Sequence, residues 1–100
     1  MIRGTTPTHI FRLPIDTGTI KELRITYRQL GHTVLEKTEA DVETQAETVQ
    51  FTLTQEEALL FRASYKVDLQ VKVLLAGGAV MASKIMPVSV SEILNEEVLA

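Results

Sequence analysis

The chain has no cysteine and no tryptophan among its 100 residues. Without thiols there is neither a disulfide staple nor a thiolate metal site, so packing alone must hold the fold. Absence of cysteine fits a reducing compartment. No apolar run approaches the ~20 residues that a membrane helix needs. The opening residues, MIRGTTPTHIF, lack the apolar core of a signal peptide, so cytosolic synthesis without export is expected. Positive charge is also short: ten basic against thirteen acidic side chains give a net charge of −3. A weakly acidic chain argues against a nucleic-acid binder, which concentrates basic charge on one surface. The charge is uneven. Residues 1–35 hold five basic and two acidic side chains, whereas residues 36–68 hold three and eight.

What is present is apolar content of 45%, enough for a single core in one domain spanning residues 1–100. The organising stretch is Val67 to Val90. Val67, Leu69, Val71, Val73 and Leu75 fall on every second residue, with Asp68, Gln70 and Lys72 between them. Period two marks a strand with one buried face. Gly77-Gly78 reads as a two-residue hairpin turn, and a second strand returns after it. That register sets Val73 against Ala82, Leu69 against Met86 and Val67 against Val88. It also drives Lys84 onto the buried side opposite Val71. Either a bulge near Ser83 re-aims the strand, or Lys84 snorkels at the rim. Pro87 cannot donate to a ladder and marks an edge.

Earlier segments repeat the alternation. Thr8 to Leu13 is an edge strand bounded by Pro7 and Pro14, and Asp16-Thr17-Gly18 is a turn. Thr19 to Gln29 places Leu23, Ile25 and Tyr27 on one face and Arg24, Thr26 and Arg28 on the other. The chain turns at Leu30-Gly31-His32 and returns over Thr33 to Thr38, bringing the arginines near Glu36. Acidic residues 39–47 read as a loop with at most a short strand around Val42. Val49, Phe51 and Leu53 point inward from Thr48 to Leu53. Thr54-Gln55-Glu56-Glu57 matches a capping box that opens a short helix at 55–61, with Phe61 plugging the core. Ser91 to Ala100 is expected as a helical turn or a frayed tail. About seven strands with one short helical crossover predict an all-β, immunoglobulin-like antiparallel β-sandwich. Another small sandwich or a partly open barrel is the alternative.

No catalytic or cofactor signature emerges. His9 and His32 have no second ligand at metal spacing. The acids Glu36, Glu39, Asp41, Glu43 and Glu47 lack the glycine and terminal glutamate of a calcium loop. Gly77-Gly78 is not a phosphate loop, because no helix start follows it. These features predict no metal, no cofactor and no enzyme. Arg24 and Arg28 are expected to pair across strands. The outer face of the hairpin is the anomaly: Leu74, Met81, Ile85 and Pro87 all point away from the core in the unbulged register. Either a terminal segment of the same chain covers them, or they form a protein–protein interface.

TTPTHIFRLP, IKELRITYRQ, LTQEEALLF and LQVKVLLAGGAVMAS together resemble small proteins encoded in phage and prophage structural gene clusters of Gram-positive bacteria. The resemblance covers most of the chain and rests on strand and turn patterns. It implies a non-enzymatic immunoglobulin-like module of head-tail, tail or baseplate assembly. Its partners would be other virion proteins or a second copy, with no nucleic acid or membrane. Its location would be the host cytoplasm and, for a particle protein, the virion. The competing reading is a binding module for a cell-surface or carbohydrate ligand. The missing tryptophan and the inward Tyr27 count against it.

Overall fold

The computed structural model describes residues 1–100 and contains two antiparallel sheets packed face to face. Chain order gives β1 (Thr8–Arg12), β2 (Ile20–Gln29), β3 (His32–Thr38), β4 (Glu43–Gln45) and β5 (Thr48–Thr52). Helix α1 (Gln55–Leu59) follows, then β6 (Val67–Leu75), β7 (Val80–Ala82) and β8 (Met86–Val88). The smaller sheet runs β1-β5-β4. The larger runs β3-β2-β6, with β7 and β8 end to end along the far side of β6.

Alternation in β2 and β6 builds the seam of the larger sheet. Leu23 stands opposite Val73, Ile25 opposite Val71, Tyr27 opposite Leu69 and Gln29 opposite Val67. All eight are buried. Apolar neighbours of this kind contribute roughly 0.2–1 kcal/mol per pair beyond small residues. Phe11, Leu13, Val49, Phe51 and Leu53 face them from the smaller sheet, and Phe61 closes one end of the same core. Phe61 and Tyr27 lie 5.5 Å apart by ring centroid. The plug expected at the crossover is therefore in place.

The Thr54 capping box is formed. Its hydroxyl accepts from the Glu57 amide at 3.2 Å, and the Glu57 carboxylate accepts from the Thr54 amide at 2.9 Å. Beyond α1 the chain is irregular to β6, so the crossover consists of five helical residues and a loop.

Three expectations change. First, there are eight strands rather than about seven, because the return strand splits into β7 and β8. The short strand of the acidic loop, β4, is centred on Thr44, paired with Val49, not on Val42. Second, Gly77-Gly78 is not a two-residue turn. Leu75 donates its amide to Ala79, leaving Ala76-Gly77-Gly78 as a three-residue loop. Only Gly78 takes a positive φ, +94°, which suits the third position of such a loop. Val73 consequently faces Met81 rather than Ala82. Third, residues 92–100 form no helix. Ser91 makes a parallel bridge with Ile2, and the tail is held by side chains.

The lower half of the hairpin keeps its expected register, Leu69 with Met86 and Val67 with Val88. The one-residue difference between the halves is absorbed by a bulge. Ser83 still faces Val71, so Lys84 and Ile85 together oppose Gln70. Lys84 is exposed, which removes the misfit of a buried lysine. The hairpin of β2 and β3, by contrast, turns on two residues with positive φ, Leu30 at 51° and Gly31 at 79°.

Candidate interaction surface

The outward residues of β2 and β6 dictate a wet face. Arg24 stands opposite Lys72, Thr26 opposite Gln70 and Arg28 opposite Asp68. Arg24 reaches Glu39 at 2.8 Å and Glu36 at 3.9 Å, so the expected cross-strand pairing exists and extends past β3. The Glu39 carboxyl is held below its ordinary range. Its own backbone amide and that of Leu23 act first, and the Arg24 guanidinium adds to them. Pairs this exposed add little to stability.

The β7–β8 border of this face is apolar. Leu74 is half-buried and stands opposite Val80, which is 58% exposed. At the other end, Ile85 is 59% exposed and walls a groove of about 310 Å³ with Arg28, Leu30, Asp68 and Gln70. Leu30 lies across that groove, itself exposed and in the left-handed backbone region, a costly place for a bulky residue. Ser83 fixes Ile85 in position. Its hydroxyl accepts from the Val71 amide at 3.0 Å and donates to the Lys84 carbonyl, while Gln70 donates to the Ser83 carbonyl.

Of the four residues singled out from the sequence, three lie on the outer side. Leu74 sits at the hairpin end, Ile85 in the bulge, and Pro87 is exposed opposite Asp68. Met81 does not join them. The three-residue loop turns it to the inner side opposite Val73, where it lines an open slot of about 250 Å³ between the sheets with Leu13, Ile15 and Val71. Val80 and Leu30 lie on this side as well. A two-residue turn would set Val80 against Leu75 on the core side, and nothing in the sequence pattern flags Leu30. No terminal segment covers the stripe. The amino terminus bonds to Ser89, and the tail returns to Arg3 and Gln55 at the crossover.

Polar groups also meet inside the fold. His9 Nδ1 and the Tyr27 hydroxyl meet at 2.7 Å between the sheets. Desolvation, then the nearby N-terminal charge, lowers the His9 pKa. Burial raises that of Tyr27, and the Glu57 carboxylate pushes it further up. Burial alone would also raise Glu57, but hydrogen bonds from Lys37 and the Thr54 amide, with the Lys37 charge, hold it below its ordinary value. Tyr27 has no solvent exposure. His32 is exposed at the start of β3. No three metal-binding side chains converge anywhere in the chain. No helix is long and apolar enough to cross a membrane. No protein-family model, no curated protein and no solved structure matches the chain.

Proposed function

We propose that this chain is a non-enzymatic assembly module of a phage or prophage particle, working through the apolar border of its larger sheet. The observation that carries the interface is the uncovered stripe of Val80 and Ile85, with Leu74 and Pro87 beside them and Leu30 across the groove. Large apolar groups grouped on a face that should be polar mark contact with another protein. The phage context rests on the sequence resemblance. Two further features support an immunoglobulin-like module. The orders β1-β5-β4 and β3-β2-β6-β7 correspond to B-E-D facing C′-C-F-G. The short helix also lies where strand E crosses to strand F. The carbohydrate reading is weaker, since Tyr65 is the single exposed aromatic ring. Its partners on this reading are neighbouring particle proteins, met in the host cytoplasm and retained in the virion.

Co-expression with the products of adjacent genes, followed by size-exclusion chromatography, tests the proposal. Ile85→Asp should abolish co-elution with the partner while the melting temperature stays within a few degrees of wild type. An early-melting mutant would mean that the face belongs to the core. A stable mutant that still binds every wild-type partner would remove the interface.

A further inference from the structure

The larger sheet is one strand position wider than the smaller, since β3, β2, β6 and the β7–β8 line face only β1, β5 and β4. One position of the larger sheet therefore has no strand above it. The open slot beside Met81 assigns that position to β7. One wall of the slot is the end of β1 and the turn after it, from Arg12 to Ile15. The other is β6, β7 and the bulge as far as Lys84. Leu13, Val71 and Val73 reach the slot from the core itself. Met81 faces inward too, yet it stays 37% exposed because no strand lies over it. The slot is an opening into the apolar interior.

Charge sets this opening apart. The chain carries thirteen acidic and ten basic side chains, and four other depressions of its surface each contain a carboxylate, Asp68, Glu97, Glu22 and Glu43 in turn. The slot contains none. Its charged groups are Arg12 from one sheet and Lys84 from the other. Arg12 approaches Glu47 only to 4.0 Å, with both side chains mostly in water, and a pair of this kind holds a charge weakly. Lys84 has no acidic partner. An apolar recess with cations at its rim and no anion complements a ligand of the opposite layout, an apolar chain that ends in a negative head. Size narrows the class. About 150 Å³ of apolar cavity holds benzene, and sites for drug-sized ligands begin at about 300 Å³. At about 250 Å³ the slot falls between them.

We infer that the slot binds a fatty carboxylate of medium chain length, its chain against Leu13, Ile15 and Met81 and its head between Arg12 and Lys84. This site uses the inner side of β7. The proposed partner interface uses the outer side, so each stands or falls without the other.

Decanoate, kept below the concentration at which it forms micelles, is the probe. The chain has three methionines, and methyl-labelled protein gives each its own NMR signal. Decanoate should shift the Met81 signal saturably and leave those of Met1 and Met86 in place. Decyltrimethylammonium, with the same chain and a positive head, should bind about tenfold more weakly. Lys84→Glu changes an exposed side chain and should weaken decanoate binding about tenfold. Should that variant unfold, the two probes compared on the wild type still decide. Equal binding of the two probes overturns the proposal, as does a folded Lys84→Glu that keeps wild-type affinity. So does movement of all three methionine signals, which marks non-specific uptake, or of none. A Met81 signal that moves on raising the protein concentration alone would put a second copy in the slot and overturn it as well.

Discussion

The crossover end of the sandwich and its β7–β8 border are held together differently. At the crossover, side chains reach far along the sequence to tie loops down. Gln29 donates to the carbonyls of Arg62 and Tyr65 at 2.8 and 3.1 Å and accepts from the Arg62 amide at 2.7 Å. Arg3 donates to the carbonyls of Phe61 and Leu59 and pairs with Glu96. Lys37 bonds to Glu57, which also caps α1. Along the β7–β8 border, backbone ladders and the single Ser83 clasp do the holding, and apolar groups are left in water. The crossover stores stability in specific polar bonds. The border keeps a surface available. A substitution should therefore change folding at the first and association at the second.

The sharpest way to break this contrast is Gln29→Leu. Leucine keeps the volume, so the effect isolates one partly buried amide donor and two carbonyls left without a partner. Stability should fall by about 3 kcal/mol, measured by urea unfolding. A change below about 1 kcal/mol would mean that water replaces these bonds. Thr54→Ala should cost about 1 kcal/mol through the lost cap; an unchanged melting temperature would show the box to be dispensable. His9 gives a smaller, pH-dependent effect. Its folded pKa lies below the ordinary 6.5, so the unfolded chain binds the proton more readily. The stability it contributes is full above pH 6.5 and is lost as the pH falls through the folded value. Thermal melts of His9→Gln should lose the decline that wild type shows just below 6.5, and an identical decline in the variant would assign it elsewhere. Smallest of all is the stability change from Ile85→Asp, within about 0.5 kcal/mol as for ordinary surface sites. Its large effect should be on binding.

Period-two alternation made β2, β5 and β6 legible because each buries one face continuously. Gln29 was legible in part. It continues the inward phase of Leu23, Ile25 and Tyr27, and a polar residue in that phase needs partners. Those partners lie 33 and 36 residues away, beyond any local pattern. β4 is legible only as a short strand in the wrong place, around Val42, because Glu43, Thr44 and Gln45 are all exposed and are a strand only through pairing with β5. The bulge was legible as a lysine in the wrong phase. The hairpin loop was not, because Gly77 and Gly78 suit either a two- or a three-residue loop and the choice is made by pairing. That one residue turns Met81 inward and Val80 outward, so one of the four expected stripe positions is exchanged for its neighbour while Leu74, Ile85 and Pro87 stay on the outer side.

The bulge at Lys84-Ile85 also sets which insertions and deletions this chain tolerates. Odd-numbered Met81 faces inward before it and even-numbered Met86 and Val88 face inward after it, so the bulge changes the parity of the strand. Deleting Lys84 or Ile85 would leave a single residue opposite Gln70 and abolish the bulge, so Met86 and Val88 would stay inward and Pro87 outward in a regular strand. The loop at Ala76-Gly77-Gly78 holds no such spare residue, because loop length fixes the register of a hairpin and a one-residue slip reverses every side chain beyond it. Two irregular stretches of one hairpin thus differ in kind. The loop sets the register, and the bulge carries one residue more than the register needs.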